Sequence, residues 1–499
     1  MNEHVAQPRR LHPATLISRS VRVVPQMLGG GAAYAAVIAR EGWSRVLLFA
    51  AAAGLLGLVG TLLYWWRFRY TVGASEIVIE SGVLKRQRRV IPYDRVQDIA
   101  IEQPLLARLF GTARVRVETG GSAADEGDLD MISLGDAQAL RDRMRHDGTT
   151  APQAAVEEPV LFSMSLGRLL HSGLFNFSIV FLAAIFAVLQ YLDEFGVIDI
   201  EAWFVSGGAD AAAGYVNLQV TLLLIALLLV LGVVAGVART AARDFGFRLT
   251  RMERGLRRRR GLFTLSEVVI PIGRTQVALI DSGPISRLFG WHRLSFQTLG
   301  ADQREGGVQV AAPFARMEEL LPILGEAGFP VPPPRPDFER LPRRALLRRC
   351  GPFIALAAVA ALAAALLEPR LAWLAAAMAL LALFAALKWR RHAYALDEQA
   401  LFVSSGLLKR RLWSIPYGRT QTIHLATGPL QRRLGLATLL VDTAGASVLG
   451  QPEIVDVDGG EGERLADRLL ALFHEARAAR RLSPLQLAPG LPGTCHDTP

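Results

Sequence analysis

The chain has 499 residues, 51% of them hydrophobic at a mean hydropathy of +0.29, while 20% remain charged. That balance excludes a disordered or low-complexity chain and requires the apolar residues to be gathered into runs, as in a membrane protein with water-exposed parts. Basic residues outnumber acidic ones 55 to 45, for a net charge of +10, and the two cysteines, Cys350 and Cys495, are too isolated for a disulfide framework or a zinc site.

Met1 to Arg19 is polar and has no short apolar core of the kind a cleavable signal peptide carries, so insertion is expected to rest on internal spans. Val21–Ala39 is a weak first span, interrupted by Arg22, Pro25, Gln26 and three glycines. Val46–Trp66 carries no charge and is long enough, at ~1.5 Å per residue, to cross a ~30 Å hydrocarbon layer. Leu174–Leu192 and Asn217–Ala238 read the same way, and Pro352–Leu367 and Leu371–Leu387 are parted only by Glu368, Pro369 and Arg370. The expectation is six transmembrane helices in three hairpins.

Orientation follows from the flanking cations, because Lys and Arg near span ends are retained in the cytoplasm. Arg9, Arg10, Arg19 and Arg22 lie at the first span, Arg67 and Arg69 after the second, and Arg239, Arg243, Arg248 and Arg251 after the fourth. Arg343, Arg344, Arg348 and Arg349 precede the fifth, and Lys388, Arg390 and Arg391 follow the sixth. The loop between spans three and four holds Asp193, Glu194, Asp199, Glu201 and Asp210 and no cation. Both termini and the large polar regions are therefore predicted to be cytoplasmic, at the plasma membrane. Much of the positive charge is then topological, and nucleic acid is not expected as a partner.

A repeat follows each hairpin. Ser81 to Gly111 reads SGVLKRQRRVIPYDRVQDIAIEQPLLARLFG, Arg260 to Gly290 reads RGLFTLSEVVIPIGRTQVALIDSGPISRLFG, and Ser405 to Gly435 reads SGLLKRRLWSIPYGRTQTIHLATGPLQRRLG. At fixed offsets stand a first glycine (Gly82, Gly261, Gly406), a proline (Pro92, Pro271, Pro416) and an arginine (Arg95, Arg274, Arg419). A glutamine (Gln97, Gln276, Gln421), a second arginine (Arg108, Arg287, Arg432) and a closing glycine (Gly111, Gly290, Gly435) complete the signature. Glycine at a turn and proline at a strand boundary give these positions a structural role. Within the repeats, Glu76–Glu80, Val96–Ile101 and Val115–Thr119 alternate as short strands. Each repeat closes on a helical pattern: Leu134–Arg145, with Ser133 and Asp136 spaced as a cap, then Phe314–Leu324, then Glu463–Ala476. About seven strands and a helix in roughly 80 residues describe a small barrel or sandwich.

These residues resemble the bacterial pleckstrin-homology family known as bPH2, or membrane-flanked domain, and the layout resembles its YdbT-like branch. The resemblance implies an α+β membrane protein in which each hairpin is followed by a PH-like β-barrel or sandwich with a C-terminal helix. It also implies an association with envelope maintenance or stress. The expected divisions are 1–66 for the N-terminal segment and first hairpin, 67–147 for PH-like domain one, and 148–242 for a linker and second hairpin. Domain two covers 243–326, a Pro-rich linker with the third hairpin 327–390, domain three 391–477, and a disordered tail 478–499. The middle copy departs from the pattern: Thr264-Leu265 replace Lys85-Arg86 and Lys409-Arg410, and Ile272 replaces a tyrosine.

Chemistry is sparse. The histidines are scattered, no nucleophile, phosphate-loop or dinucleotide motif appears, and neither enzymatic activity, a metal nor a cofactor is expected. The acidic run Asp125, Glu126, Asp128, Asp130 lacks a full calcium-loop spacing and reads as a solvated hairpin tip. A transporter or channel component is the alternative function, but spans two to six lack ionisable groups between their ends. What remains is a basic surface: Lys85, Arg86, Arg88 and Arg89 in copy one, Arg257, Arg258, Arg259 and Arg260 in copy two, and Lys409, Arg410 and Arg411 in copy three. These are the candidate residues for membrane lipids or a protein partner, which includes a second copy of the chain.

Overall fold

The computed structural model describes residues 8–20, 43–82, 85–119, 127–145, 158–175, 211–253, 255–298, 307–334, 337–443 and 452–482. They form two compact units, Met1–Met252 with Arg257–Val269, and Glu253–Leu256 with Ile270–Pro499.

In the first unit, the helix Trp43–Arg67 covers the second expected span and leads into β1 (Arg69–Val72), β2 (Glu76–Ser81) and β3 (Gln87–Pro92), an antiparallel meander. Pro92 closes β3 and a single 3-10 turn, Tyr93–Arg95, redirects the chain. Then come β4 (Val96–Gln103), a short helix Leu105–Leu109, β5 (Thr112–Thr119), β6 (Gly127–Ser133) and the helix Leu134–Arg145. That last helix is capped as its sequence predicts, the Asp136 amide donating to Ser133 Oγ at 3.0 Å.

The same order recurs. After the helix Ala211–Asp244 follow β8 (Arg248–Met252), β9 (Gly255–Arg260) and β10 (Leu265–Pro271). The middle repeat continues with β11 (Thr275–Ser282), the helix Pro284–Leu288, β12 (His292–Thr298), β13 (Val308–Ala315) and the helix Met317–Glu326. In the third repeat the helices Arg344–Leu366 and Ala372–Arg391 precede β15 (Ala393–Leu396), β16 (Ala400–Ser405) and β17 (Arg410–Pro416). Then follow β18 (Thr420–Ala426), the helix Pro429–Leu434, β19 (Leu436–Thr443), β20 (Glu453–Asp458) and the helix Gly459–Leu482. Each repeat thus supplies six strands, and the seventh is borrowed from the segment preceding its hairpin. Arg9 bridges Tyr70, β7 (Val160–Ser163) pairs with β8, and β14 (Glu339–Arg340), from the Pro-rich linker, pairs with β15.

Pairing between repeats follows one rule. The fourth strand of one repeat pairs antiparallel with the third strand of the next: β4 with β10 in the first unit, from Gln103↔Leu265 to Ile101↔Glu267, and β11 with β17 in the second, from Ala278↔Ser414 to Ser282↔Arg410. Two seven-stranded sheets result, β6-β5-β4-β10-β9-β8-β7 and β13-β12-β11-β17-β16-β15-β14, alongside the three-stranded sheets β1-β2-β3 and β18-β19-β20. The compact units therefore cut through the middle repeat, with β8, most of β9 and most of β10 in the first and β11 to β13 in the second. Pairing hides an edge that would otherwise offer unbonded backbone groups. All eight residues of β11 are buried, whereas most of β18, its counterpart in the last repeat, is exposed.

Among the described residues, three helical stretches are long and apolar enough to cross a membrane: Ala226–Asp244, Arg344–Leu366 and Pro369–Arg391. The expected span Val21–Ala39 and most of Leu174–Leu192 lie outside the described residues.

Polar contacts lock the helix ends to the sheets. In the second unit, Asp456 of β20 is fully buried and accepts from Arg348 Nη2 at 2.7 Å, Arg349 Nε at 2.8 Å and Gln431 Nε2 at 2.8 Å. Burial opposes its ionisation, but these hydrogen bonds prevail and hold the carboxyl below the ordinary aspartate value. In the first unit, buried Asp244 closes the long helix against Arg243 (2.8 Å) and Arg260 (3.2 Å). Trp65 and Trp389 hold the same repeat position and donate to backbone carbonyls, of Leu11 at 3.0 Å and Pro342 at 3.2 Å.

Three residues later the repeats place Phe68, Phe247 and His392, all buried. The imidazole thus sits where an aromatic hydrocarbon belongs. Burial first, then Arg349 and Lys388, lower its pKa from 6.5 to about 4.

Three predictions follow from these contacts. Asp456→Asn leaves Arg348 and Arg349 without their counter-charge and is expected to cost about 3–5 kcal/mol, read as a lower unfolding midpoint of the solubilised chain. Gly406 adopts φ +96°, and an added Cβ would overlap the Lys409 carbonyl oxygen. Gly406→Ala should therefore destabilise by about 1–3 kcal/mol, while Gly273→Ala, which meets open space, should be near neutral. Because folded His392 resists a proton that the unfolded chain accepts near pH ~6.5, stability is full above that pH and declines as pH falls toward 4. His392→Phe should flatten the dependence of the unfolding midpoint between about pH 7 and about pH 4.5, and an unchanged slope would contradict this account.

Candidate functional site

The signature residues resolve first into structural roles. Gly82, Gly261 and Gly406 all have φ between 96° and 118°, and in each case a Cβ would strike a carbonyl oxygen in the same turn, that of Lys85, Thr264 or Lys409. The turn therefore demands glycine. Tyr93 and Tyr417 each donate a hydroxyl hydrogen bond, at 2.8 Å, to a backbone carbonyl in the preceding strand connection, Gly73 and Asp397 respectively. Burial, with Asp397 nearby, pushes Tyr417 up to about 12, so it is a staple and not an acid. Ile272 takes this place in the middle repeat and cannot make the bond. Gly111, Gly290 and Gly435 have φ of 62° to 73° and terminate the short helices.

The signature arginines differ among copies. Arg108 donates to the Leu262 carbonyl at 3.1 Å, tying the short helix of the first repeat to the glycine turn of the second. Arg419 is buried, donates to Thr275 Oγ1 (2.9 Å) and the Ala327 carbonyl (3.4 Å), and lies 4.4 Å from the centre of the Phe329 ring. It joins the third repeat to the second. Arg95 and Arg432 are exposed, Arg274 and Arg287 half-buried. Gln276 is buried and donates to the Arg274 carbonyl at 3.1 Å, and Gln421 is exposed.

The three basic runs fall at the early hairpin of their repeats, but in unlike states. In copy one, Lys85, Arg86 and Arg88 are exposed and Arg89 half-buried on the β2–β3 hairpin, Arg88 lying 3.7 Å from Glu80 across the strands. In copy two the run occupies β9, where alternation turns Arg258 and Arg260 inward. Arg257 there lies 3.1 Å from Glu158 and 3.6 Å from Glu267, which leaves Arg259 as the exposed member. In copy three Lys409 is exposed and ion-paired to Asp281 of β11, while Arg410 and Arg411 are half-buried. An exposed cationic surface thus survives best in copy one. Of the acidic run, Asp130 pairs with Arg114 at 2.9 Å, and Asp125 and Glu126 lie outside the described residues. Among the described residues no cluster of His, Cys, Asp or Glu could hold a metal.

Sequence reasoning missed an apolar component. The short helix after β4, and its counterpart after β11, expose Leu105, Leu109 and Phe110, and Ile285, Leu288 and Phe289. Phe263, in the glycine turn that Arg108 holds, is exposed as well. In sequence these residues form part of the repeat, and nothing local shows which side of the short helix meets water. In the fold those leucines face outward, a pairing of apolar and cationic groups that suits a membrane interface.

The sequence matches the family described as bacterial PH domain over residues 21–147, 165–327 and 351–473. It is similar to a transmembrane protein of Bacillus subtilis strain 168, YdbT, with 24% identity over 371 residues covering 69% of this chain and 74% of that protein. No solved structure matches. With apolar helices interleaved among three copies of one strand-and-helix unit, each within a matched segment, the chain belongs to the bacterial PH domain family.

Proposed function

We propose that this membrane protein is a non-enzymatic scaffold whose three PH-like units face the cytoplasm at the bacterial inner membrane and engage anionic lipid headgroups or protein partners. Six spans in three hairpins, with the acidic loop between spans three and four outside, is the topology that the flanking cations support. The observation that carries the reading is the first repeat's surface: Lys85, Arg86 and Arg88 exposed on one hairpin, and Leu105, Leu109 and Phe110 exposed on the short helix of the same repeat. Cations held within a Debye length of an anionic leaflet are attracted by ~1 kcal/mol each, and exposed leucines add hydrophobic contact at the headgroup boundary.

Reporter fusions at residues 150, 205 and 335 should read cytoplasm, periplasm and cytoplasm, and a periplasmic signal at 150 would overturn the orientation. Replacing Lys85, Arg86, Arg88 and Arg89 by Gln in the full-length solubilised chain should weaken binding to phosphatidylglycerol vesicles roughly tenfold or more at low salt. The wild-type affinity should itself fall as salt shortens the screening length. Binding that ignores both the substitutions and salt would shift the proposal to protein partners alone.

A further inference from the structure

The second unit contains a cavity of about 890 Å³ that none of the basic runs by itself predicts. It lies within the ~300–1,000 Å³ range of small-molecule sites. Five arginines line it: Arg287 of the short helix, Arg340 of β14, Arg390 and Arg391 at the end of the last membrane helix, and Arg410 at the start of β17. Among the described residues no Asp or Glu lines it, so five arginines converge on one space. We infer that this cavity binds a phosphate-bearing amphiphile, an anionic phospholipid whose headgroup lies among the arginines and whose acyl chains leave along the apolar wall.

Three features select that ligand class. Guanidinium groups present paired donors matched to phosphate oxygens, and the buried hydroxyls of Ser282 and Ser404 add neutral donors. Twelve of the twenty lining residues are apolar, among them Leu288, Leu321, Val331, Leu387 and Leu412, which would waste a free inorganic anion but suit a hydrocarbon chain. Apart from His292, Phe338 is the one aromatic ring among the lining residues, which gives a nucleobase little to stack on. The third feature is depth. Pro369–Arg391 is apolar enough to span a bilayer, and Leu387, Arg390 and Arg391, in its last two turns, all touch the cavity. Basic residues ending a span mark the plane where hydrocarbon gives way to headgroups, so the cavity opens at the level of lipid phosphates.

The cavity also gives the signature residue Arg287 a place of its own. It stands at the position from which Arg108 reaches the next repeat, and here it meets Arg410 of the next repeat across the cavity. The inference rests on the membrane-facing role proposed above, and one experiment separates the two. The delipidated full-length chain in detergent would be titrated with phosphatidylglycerol, phosphatidylcholine and glycerol 3-phosphate, with bound molecules counted by native mass spectrometry.

The expected result is one tight phosphatidylglycerol per chain that survives added salt, weakened roughly tenfold or more in Arg390→Gln/Arg391→Gln and in Arg287→Gln/Arg410→Gln. Arg390 and Arg391 are exposed, so their replacement leaves the fold intact, and Arg390→Lys/Arg391→Lys should restore part of the affinity. Equal tight binding in both arginine variants would overturn the cavity assignment while leaving the scaffold reading in place. Glycerol 3-phosphate binding as tightly as the lipid would overturn the lipid as the source. Absence of any anionic-lipid adduct would overturn the cavity assignment and, together with no effect of the Lys85, Arg86, Arg88 and Arg89 substitutions on vesicle binding, would leave the scaffold reading with protein partners alone.

Discussion

A sheet's outer strand leaves a row of backbone donors and acceptors unpaired wherever nothing covers its edge. Here the remedy is the neighbouring repeat. The strand after each Ile-Pro turn docks onto the strand before that turn in the following copy, so β4 meets β10 and β11 meets β17. Side chains reinforce both joints: Arg141, from the closing helix of the first repeat, reaches Glu267 of β10 at 2.7 Å, and Lys409 of the third repeat pairs with Asp281 of β11. Consecutive copies are therefore joined strand to strand, first to second and second to third.

The ends of such a series differ from its middle. Among the described residues β3 pairs only with β2 and carries arginines at its margin, while β18 pairs only with β19 and exposes His424, Leu425 and Ala426. Cations along an edge discourage pairing with another chain, which accounts for the first copy retaining Lys85, Arg86 and Arg88 in the open while the middle copy folds most of its arginines into β9. In the middle copy Arg257 pairs with Glu158 and Glu267 and Arg260 with Asp244, and Arg259 is the member of the run that stays exposed.

Much of this was legible in the residues. The glycine-to-proline spacing located the β2–β3 hairpin and its counterparts, the Ser133–Asp136 cap located the closing helix, and the apolar runs located the membrane helices of the third hairpin. Less could be read where the cause was tertiary. A strand pattern says which residues alternate but not which strand lies beside which, so the exchange between repeats was invisible. The tract Arg257 to Arg260 looks like a surface patch in one dimension, since nothing local distinguishes an arginine facing Asp244 from one facing water. The outward leucines of the short helices drew no notice in the sequence, because only the tertiary fold shows that they are exposed. His392 could have been found by aligning the copies, where it takes the place of Phe68 and Phe247.

Hydrogen exchange on the full-length chain tests the interlocked arrangement most directly. If the repeats share sheets, amides of β11 and β17 exchange only through global opening, while outward amides of β18, alike in sequence position to β11, exchange orders of magnitude sooner. Matching rates for β11 and β18 would mean that each copy folds as a separate body, and the shared-sheet account would fall.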